Sequence, residues 1–384
     1  MAAKTTHYRV GNGDMTLFEF ESGATLLADC SIRDAADDPD DETADVASQL
    51  RSRLKRDLHG RPYVDAFLLT HPDQDHCRGL RNHFHLGPPG NWNKNDDKIL
   101  IKEMWSSPIV FRRASKLHCL CDDAKAWNKE ARRRVAHYRA YRYAVDGERI
   151  KILGRDVDGK TDDLAGILVE LDTEFSTIAG SFDLTFTARL IAPLLADDDV
   201  EEDVLTKNES STILGISMKS NLVEGARYLI GGDAEAGVWE RVWDRNKERK
   251  YVLEYDVLVA PHHCSWHSLS WNSWSDYGED AEVSADARDA LGQARPGAKI
   301  VASSNRILDD DNDPPCIRAK REYKAIAKDA KGEFVCVSDG SGDAPLEFEI
   351  TSGGVSPKKV LASILGANSA FATSRVGAQP LGHG

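Results

Sequence analysis

Four residues able to bind a metal or move a proton lie within six positions, directly after an apolar segment. The segment "FLLTHPDQDHCRGL" (67–80) carries His71, Asp73, Asp75 and His76. Carboxylates and neutral imidazoles are hard to borderline ligands that suit divalent cations. Burying four such groups without partners would carry a large desolvation penalty. The spacing therefore predicts a metal site rather than an ordinary solvated loop.

Two further apolar segments end in acceptor groups in the same way. The segment "LIGGDAE" places Asp233 after a glycine pair, and "VLVAPHHCSWHS" leads through Pro261 into His262 and His263. In layered α/β proteins, binding sites are built where strands end. We therefore expect these residues to join the first four.

The elements that must position these residues indicate a layered α/β core. The continuous apolar run "VDAFLLT" (64–70) predicts a strand buried on both faces. Alternating residues over 8–32 predict two or three strands before it, and a four-residue apolar period over 46–58 predicts a helix. Strands alternating with helices indicate sheets covered by helices.

The rest of the chain predicts one large domain with an insertion. A long helix carries Ala124, Trp127, Ala131, Val135 and Tyr138, and we assign about 107–150 to a helical insertion. Strand patterns return from 150, with helical stretches near 235–247, 281–293 and 316–329. We expect a single domain over 1–353 and a flexible tail over 354–384, where small residues dominate.

Composition narrows the class of protein. Of the 384 residues 41% are hydrophobic, and no apolar run approaches the ~20 residues of a membrane span. The start lacks a secretory segment, so we expect a cytoplasmic protein without membrane contact. Seven cysteines favour reduced thiols. Cys77 and Cys264 adjoin predicted ligands, where a thiol can bind zinc or be oxidised, although small-residue packing is the preferred interpretation.

Charge leaves two interpretations open for the helical insertion. The net charge of −14 argues against a protein that coats nucleic acid. The basic run "EARRRVAHYRAYR" (130–142) is interleaved with tyrosines. Such a run is ordinarily a solvated helix face. Alternatively it meets a phosphate backbone, with aromatic rings available for bases.

The motifs together resemble a known superfamily. "THPDQDH" (70–76) resembles the H-x-H-x-D-H metal motif of metallo-β-lactamase proteins, with Asp73 where the second histidine usually falls. This variant, the "GD" strand end and "PHH-x-S" resemble the metallo-β-lactamase domain of ComEC-type DNA-uptake proteins. "VGNGDMTLFEFESGATLLADCS" (10–31) and "KNESSTILGISM" (207–218) are similar to that family's opening and to its strand before "GD". The resemblance implies an αββα sandwich, two mixed β-sheets flanked by helices, in a free-standing soluble relative.

Site residues carried over from the resemblance form two metal sites. It implies that His71 and Asp73 bind one metal ion and that Asp75 and His76 bind the other. Asp233 would bridge the two ions, and either His263 or His262 would complete the second site. The family's usual histidine before the bridging aspartate is missing. The residues in that region are Asn208, Ser210 and Ser211, which leaves the first site open to water.

The ligand types predict the chemistry. Because Asp73 replaces an imidazole, preference moves from zinc toward manganese or magnesium, and we expect two divalent ions, Mn²⁺ or Zn²⁺ with Mg²⁺ as a third candidate. Such a pair activates water and clamps a phosphodiester. The predicted catalytic residues are Asp75 with His262 and His267 as proton donors. The predicted substrate-binding residues are Asn208, Ser210, Ser265, Ser304 and Asn305.

Three functions follow, in order of preference. The first is a metal-dependent nuclease with a nucleic acid or nucleotide substrate. The second is a hydrolase of a small phosphoester, a cyclic nucleotide, a lactone or a thioester, since fold does not determine substrate. The third is a non-catalytic metal-binding sensor or scaffold with a protein partner, in antiviral defence or DNA processing.

Overall fold

Two large mixed β-sheets form the centre of the protein, and helices cover their outer faces. The computed structural model describes residues 2–37, 41–111, 120–156, 159–194, 210–340 and 342–358. Two mixed sheets flanked by helices form the four layers of an αββα sandwich, so the predicted fold class is confirmed.

The strands and helices of these ranges follow in chain order. The strands are β1 (Ala3–His7), β2 (Thr16–Glu19), β3 (Thr25–Ala28), β4 (Cys30–Ser31), β5 (Lys55–Arg56), β6 (Pro62–Leu69), β7 (Phe84–His85), β8 (Ile99–Ser106), β9 (Arg149–Leu153), β10 (Leu168–Val169), β11 (Glu174–Phe175), β12 (Thr177–Ile178), β13 (Ser181–Phe182), β14 (Phe186–Ala192), β15 (Ile213–Ser220), β16 (Val223–Ile230), β17 (Tyr255–Val259), β18 (Ala294–Ala302), β19 (Glu333–Cys336), β20 (Leu346–Thr351) and β21 (Gly354–Pro357). The helices are α1 (Val46–Arg51), α2 (Gln74–Cys77), α3 (Leu80–His83), α4 (Asp122–Tyr141), α5 (Ala236–Asn246), α6 (Trp274–Tyr277), α7 (Ala285–Leu291) and α8 (Ile317–Asp329). Short 3₁₀ turns are Asp34–Asp37, Pro89–Asn91, Pro108–Phe111, Asp162–Leu164, Lys250–Val252, Trp266–Ser268, Gly278–Asp280 and Val337–Asp339. Residues Pro261–Cys264 form one turn with left-handed residues inside it.

Both large sheets send parallel strands toward the same region. The first sheet has the order β10-β9-β8-β6-β3-β2-β1-β20-β21, with β5 beside β6 and β7 beside β8. The second has the order β11-β14-β15-β16-β17-β18-β19. Strands β3, β6 and β8 are parallel to one another, as are β16, β17 and β18. The carboxyl ends of these strands carry the predicted site residues.

Successive side chains along each strand point to opposite faces of the sheet, and the apolar ones form three layers. In β6, Phe67 and Leu69 pack under the helices of the first sheet, whereas Ala66 and Leu68 face the second sheet. This two-residue period explains why a strand buried on both faces has a continuous apolar sequence. The second sheet packs its outer face against α5, α7 and α8, with Trp239 and Tyr323 fully buried.

Some local predictions differ from the structure. The helix predicted over 46–58 ends at Arg51, and the chain turns into β5 before the fully exposed Leu58. The four-residue period predicted the start of this helix correctly, because Val46 and Leu50 are buried, but its continuation to Leu58 was wrong. Residues 354–357, predicted as the start of a tail, form β21 beside β20. The rest of that tail lies outside the described residues except Lys358.

No helix within the described ranges has the length and apolar character needed to cross a bilayer. The predicted insertion over about 107–150 contains α4, as the helical period over 124–138 indicated.

Candidate metal centre

The end of β6 delivers the first group of predicted ligands. The strand stops at Leu69, and α2 begins after Asp73, so Asp75 and His76 lie within a single helical turn. Thr70 secures this junction, because its backbone N–H and its hydroxyl both donate to the carboxylate of Asp29, at 2.8 and 2.7 Å. The four residues of the sequence cluster therefore point into one region from a rigid strand end.

A close approach of the two sheets brings Asp233 to the same place. Gly232, after β16, has φ +51°, and a Cβ there would lie 2.9 Å from both Cβ and Oγ1 of Thr70. Only glycine accommodates both that backbone conformation and that contact. Its carbonyl accepts from the backbone N–H of His262 at 3.0 Å. The glycine pair in "LIGGD" thus seats Asp233 against the end of β6.

Left-handed backbone separates the two adjacent histidines after β17. His262, His263 and Cys264 have φ values of 51°, 52° and 69°. Side chains rarely adopt this conformation, and it persists only where surrounding contacts require it. Here it turns two neighbouring imidazoles into the same cluster.

One oxygen of Asp233 faces a first group of ligand atoms. Asp233 Oδ2 lies 3.5 Å from His71 Nε2 and 3.7 Å from His262 Nε2. Asp73 Oδ2 lies 3.6 Å from His71 Nε2. This group corresponds to the first metal site implied by the resemblance, with His262 added to it.

The other oxygen faces a second group. Asp233 Oδ1 lies 2.9 Å from His76 Nε2 and 3.7 Å from His263 Nε2. His263 Nε2 is 3.3 Å from Asp75 Oδ2 and 3.3 Å from His76 Nε2. Asp14, His76, Asp233 and His263 are all buried, and each offers a ligand atom within 4.8 Å of the others.

These separations fit a divalent cation. Two ligand atoms about 2.1 Å from a tetrahedral ion lie about 3.4 Å apart, close to the values in both groups. Buried polar atoms without a hydrogen-bond partner include His71 Nε2 and Asp14 Oδ1. Such atoms are costly unless an ion or a water satisfies them. The donor set of carboxylates and imidazoles therefore suits metal ions.

Carboxylates behind the site orient its imidazoles. His76 Nδ1 donates to Asp29 Oδ2 at 2.8 Å, which leaves Nε2 free to bind an ion. His263 Nδ1 lies 3.7 Å from Asp14 Oδ1 in the equivalent arrangement. A carboxylate behind a histidine fixes its tautomer and strengthens it as a ligand.

The electrostatics of the cluster are those of interlocked ion pairs. Burial disfavours the charged form of His76, but Asp233 and Asp29 raise its pKa well above the ordinary value. Burial also opposes ionisation of Asp233, yet the imidazoles lower its pKa well below the ordinary range. Against the effect of burial, carboxylates raise the pKa of His263 to about 10, whereas burial lowers the pKa of His262. A bound metal cation would take the place of the protons that these imidazoles and carboxylates share.

The other predicted residues lie around the centre in different roles. His267 is partly exposed, and its Nε2 lies 4.0 Å from Asp313 Oδ2. Ser265 is buried and its Oγ accepts from the backbone N–H of His267 at 3.1 Å. The hydroxyl of buried Ser304 donates to the carbonyl of Asn305 at 2.9 Å, so this serine supports the backbone.

Three predicted substrate-binding residues remain to be placed. Ser210 is buried at the start of the segment that leads to β15, and Asn208 lies outside the described residues. Asn305 is exposed, and its N–H donates to Asn12 Oδ1 at 2.9 Å. Among the predicted substrate-binding residues that the structure describes, it is the one with an exposed side chain, beside the loop that carries Asp14.

Sequence reasoning missed the roles of Asp14, Asp29 and Asp313. The first two lie in the opening segment that resembled the ComEC-type domain, so the motif itself was a signal for Asp14 and Asp29. Asp313 lies in an acidic run with no pattern that separates it from its neighbours. Oδ1 of Asp313 accepts a hydrogen bond from the backbone N–H of Trp266 at 3.0 Å.

The basic run on α4 is largely paired within the protein. Arg134 is fully buried against Glu130 at 2.8 Å, and Arg133 contacts Glu130 and Glu148. Arg139 pairs with Asp163 at 2.7 Å. The prediction of a helix face free to meet a phosphate backbone is therefore weakened, because these guanidinium groups already have partners.

The αββα sandwich therefore buries a histidine–aspartate cluster whose ligand atoms are close enough together to hold a metal ion. The chain matches no protein-family model and no curated protein. Among solved structures it is similar to one described as the crystal structure of unliganded yeast PDE1, with 11% identity and a TM-score of 0.40. That match covers 88% of this chain and 98% of the yeast chain.

Proposed function

We propose that this protein is a metal-dependent phosphodiesterase in which two divalent ions share Asp233. The observation that carries the proposal is that each oxygen of this carboxylate faces its own group of histidine and aspartate atoms, at 2.9–3.7 Å. A carboxylate with two such faces is suited to bridge two ions a few ångströms apart.

The proposed ligands divide by these faces. His71, Asp73, His262 and Oδ2 of Asp233 would hold the first ion. Asp75, His76, His263 and Oδ1 of Asp233 would hold the second. His262 thereby stands in for the histidine missing before the bridging aspartate. It is a ligand in this proposal rather than a proton donor, and Asp75 is likewise a ligand.

The ligand set favours phosphodiester chemistry. Oxygen ligands from aspartates favour manganese or magnesium over an all-imidazole zinc site. When bound, two such ions polarise phosphoryl oxygens and lower the pKa of a bound water. The chain itself would supply the proton for the leaving oxygen from His267, which is partly exposed and held near Asp313.

Nucleic acid remains the proposed substrate class, in line with the resemblance to the ComEC-type domain. A small phosphodiester such as a cyclic nucleotide is the second candidate. The pairing of Arg133, Arg134 and Arg139 with acidic residues favours this second candidate, because these three charges of α4 are already neutralised within the protein and attract a polyanion less. The ComEC-type assignment and a cytoplasmic location stay predictions.

A metal-by-substrate activity matrix tests the proposal. Wild type, Asp75→Ala and Asp233→Ala would be assayed with Mn²⁺, Mg²⁺ and Zn²⁺ against single- and double-stranded DNA, RNA, cyclic nucleotides, a lactone and a thioester. The exposed Asp276 offers a matched control in Asp276→Ala. We expect phosphodiester cleavage that both site variants lose and the control keeps. Cleavage that survives Asp75→Ala and Asp233→Ala would disprove the two-ion assignment.

A further inference from the structure

Two thiols contact each other beside the proposed metal centre. Cys77 Sγ lies 3.6 Å from Cys121 Sγ. Cys77 is buried at the end of α2, one residue after His76, and Cys121 is partly exposed immediately before α4. We propose that hydrogen peroxide converts this pair into a reversible disulfide, which weakens metal binding at the neighbouring centre.

The surroundings of Cys121 favour its attack on a peroxide. Its sulfur accepts from the backbone N–H of Ala124 at 3.4 Å, at the N-terminus of a 20-residue helix. Hydrogen bonding from Cys77 and from these backbone groups lowers the pKa of Cys121 to about 6. The thiolate is the nucleophilic form, and Cys121 is also the member of the pair that solvent reaches.

The reaction balances with peroxide as the only oxidant. The Cys121 thiolate attacks one peroxide oxygen, the O–O bond breaks, and a sulfenic acid and hydroxide form. The sulfur of Cys77 then attacks the sulfenic sulfur, forms the S–S bond and expels the sulfenic oxygen as water with the Cys77 proton. Overall two thiols lose two electrons and two protons, and one peroxide becomes two waters.

A hydrogen bond links this reaction to a metal ligand. The single S–H of Cys77 is shared between two acceptors, the backbone carbonyl of Asp73 at 3.0 Å and the Cys121 sulfur at 3.6 Å. Disulfide formation removes that hydrogen and draws the two sulfurs together to about 2.05 Å, from 3.6 Å. Because α2 also carries Asp75 and His76, the sulfur displacement acts directly on the turn that positions three proposed ligands. This consequence depends on the proposed metal centre, whereas disulfide formation itself does not.

The test uses the full chain reduced and then loaded with Mn²⁺, a metal that binds oxygen and nitrogen ligands in preference to thiolates. After peroxide treatment, non-reducing peptide mapping should show a Cys77–Cys121 crosslink that dithiothreitol reverses. The Mn²⁺ affinity should fall by about tenfold. Changes to groups that support metal ligands lower affinity by about 10–100-fold, and tenfold is the lower end of that range. Cys121→Ser is the matched control, since serine keeps the helix cap but cannot form the disulfide.

Each other outcome has a defined meaning. Cys30 is a nearby third thiol whose Sγ donates to the carbonyl of Arg78 at 3.4 Å, so a Cys30–Cys77 crosslink would refute the assigned pair. Failure to form any crosslink would also refute it. A Cys77–Cys121 crosslink with unchanged Mn²⁺ affinity would overturn the coupling to the metal centre. None of these readouts requires phosphodiesterase activity, so they remain interpretable if no substrate is cleaved.

Discussion

His262 and His263 are adjacent in the chain, yet their Nε2 atoms lie against different oxygens of one carboxylate. Each is 3.7 Å from Asp233, the first from Oδ2 and the second from Oδ1. Their left-handed backbone, with φ of 51° and 52°, costs about 1–2 kcal/mol per residue. The fold therefore maintains a strained turn whose effect is to direct two imidazoles to two separate positions.

We expect His262→Ala and His267→Ala to fail in different ways. His262→Ala should lose one of two bound metal equivalents, because it removes a proposed ligand of the first ion. His267→Ala should keep both equivalents and show a lower kcat, since it removes only the proposed proton donor. Elemental analysis of the purified variants and steady-state kinetics measure the two effects. Retention of both metals by His262→Ala would exclude it as a ligand.

Asp29→Asn should weaken metal binding without removing a ligand. Asp29 accepts from His76 Nδ1 at 2.8 Å and holds Thr70 through two more hydrogen bonds. Loss of such a carboxylate behind a metal ligand lowers affinity by about 10–100-fold. Competition titration with a metal-binding dye measures the change.

A second buried aspartate, Asp65 in strand β6, is the control for Asp29. Asp65 accepts from the hydroxyl of Thr25 and pairs with Lys102 at 2.8 Å. Asp65→Asn should lower stability while leaving metal affinity within about twofold of wild type. Equal losses of affinity in the two variants would show that Asp29 acts through stability alone.

Gly232→Ala should destabilise the protein more than Gly60→Ala. Both glycines have positive φ, +51° and +78°, but only at Gly232 would a Cβ meet other atoms, 2.9 Å from Thr70. The backbone strain common to both costs about 1–2 kcal/mol, and the overlap with Thr70 adds about 1–3 kcal/mol. Urea unfolding of the two variants measures the difference. Equal unfolding free energies would mean that the contact with Thr70 relaxes without cost.

His7 should make the fold less stable in mild acid. Burial lowers the pKa of His7 to about 4 from an ordinary 6.5, against the opposing effect of Asp14. Between these values the unfolded chain binds the proton that the folded chain excludes, so stability is complete above pH 6.5 and falls toward pH 4. The loss attributable to His7 is about 3 kcal/mol.

Urea unfolding at pH 7 and pH 4.5 tests this effect in wild type and in His7→Gln. The variant should lose less stability between the two values, because glutamine does not titrate. The Nδ1 atom of His7 pairs with the hydroxyl of Thr16 at 3.1 Å, a contact that the amide of glutamine can reproduce. The same acid loss in both proteins would show that His7 is not the group responsible.

The sequence by itself determined the fold class and the ligand-bearing strand ends. Continuous apolar runs and helical periods are local signals, and they predicted β6, α4 and the strands that end before Asp233 and His262. The chemical types at those ends were sufficient to indicate a metal site, because buried carboxylates and imidazoles require partners.

Only the tertiary structure decided which atoms meet. The left-handed turn at 262–264 and the close approach of Gly232 to Thr70 assign His262 to one oxygen of Asp233 and His263 to the other. Tertiary contacts also pair the arginines of α4 with acidic residues far along the chain. Charge and ligand type are properties of single residues, whereas neutralisation and coordination depend on distances that the packed sheets and helices set.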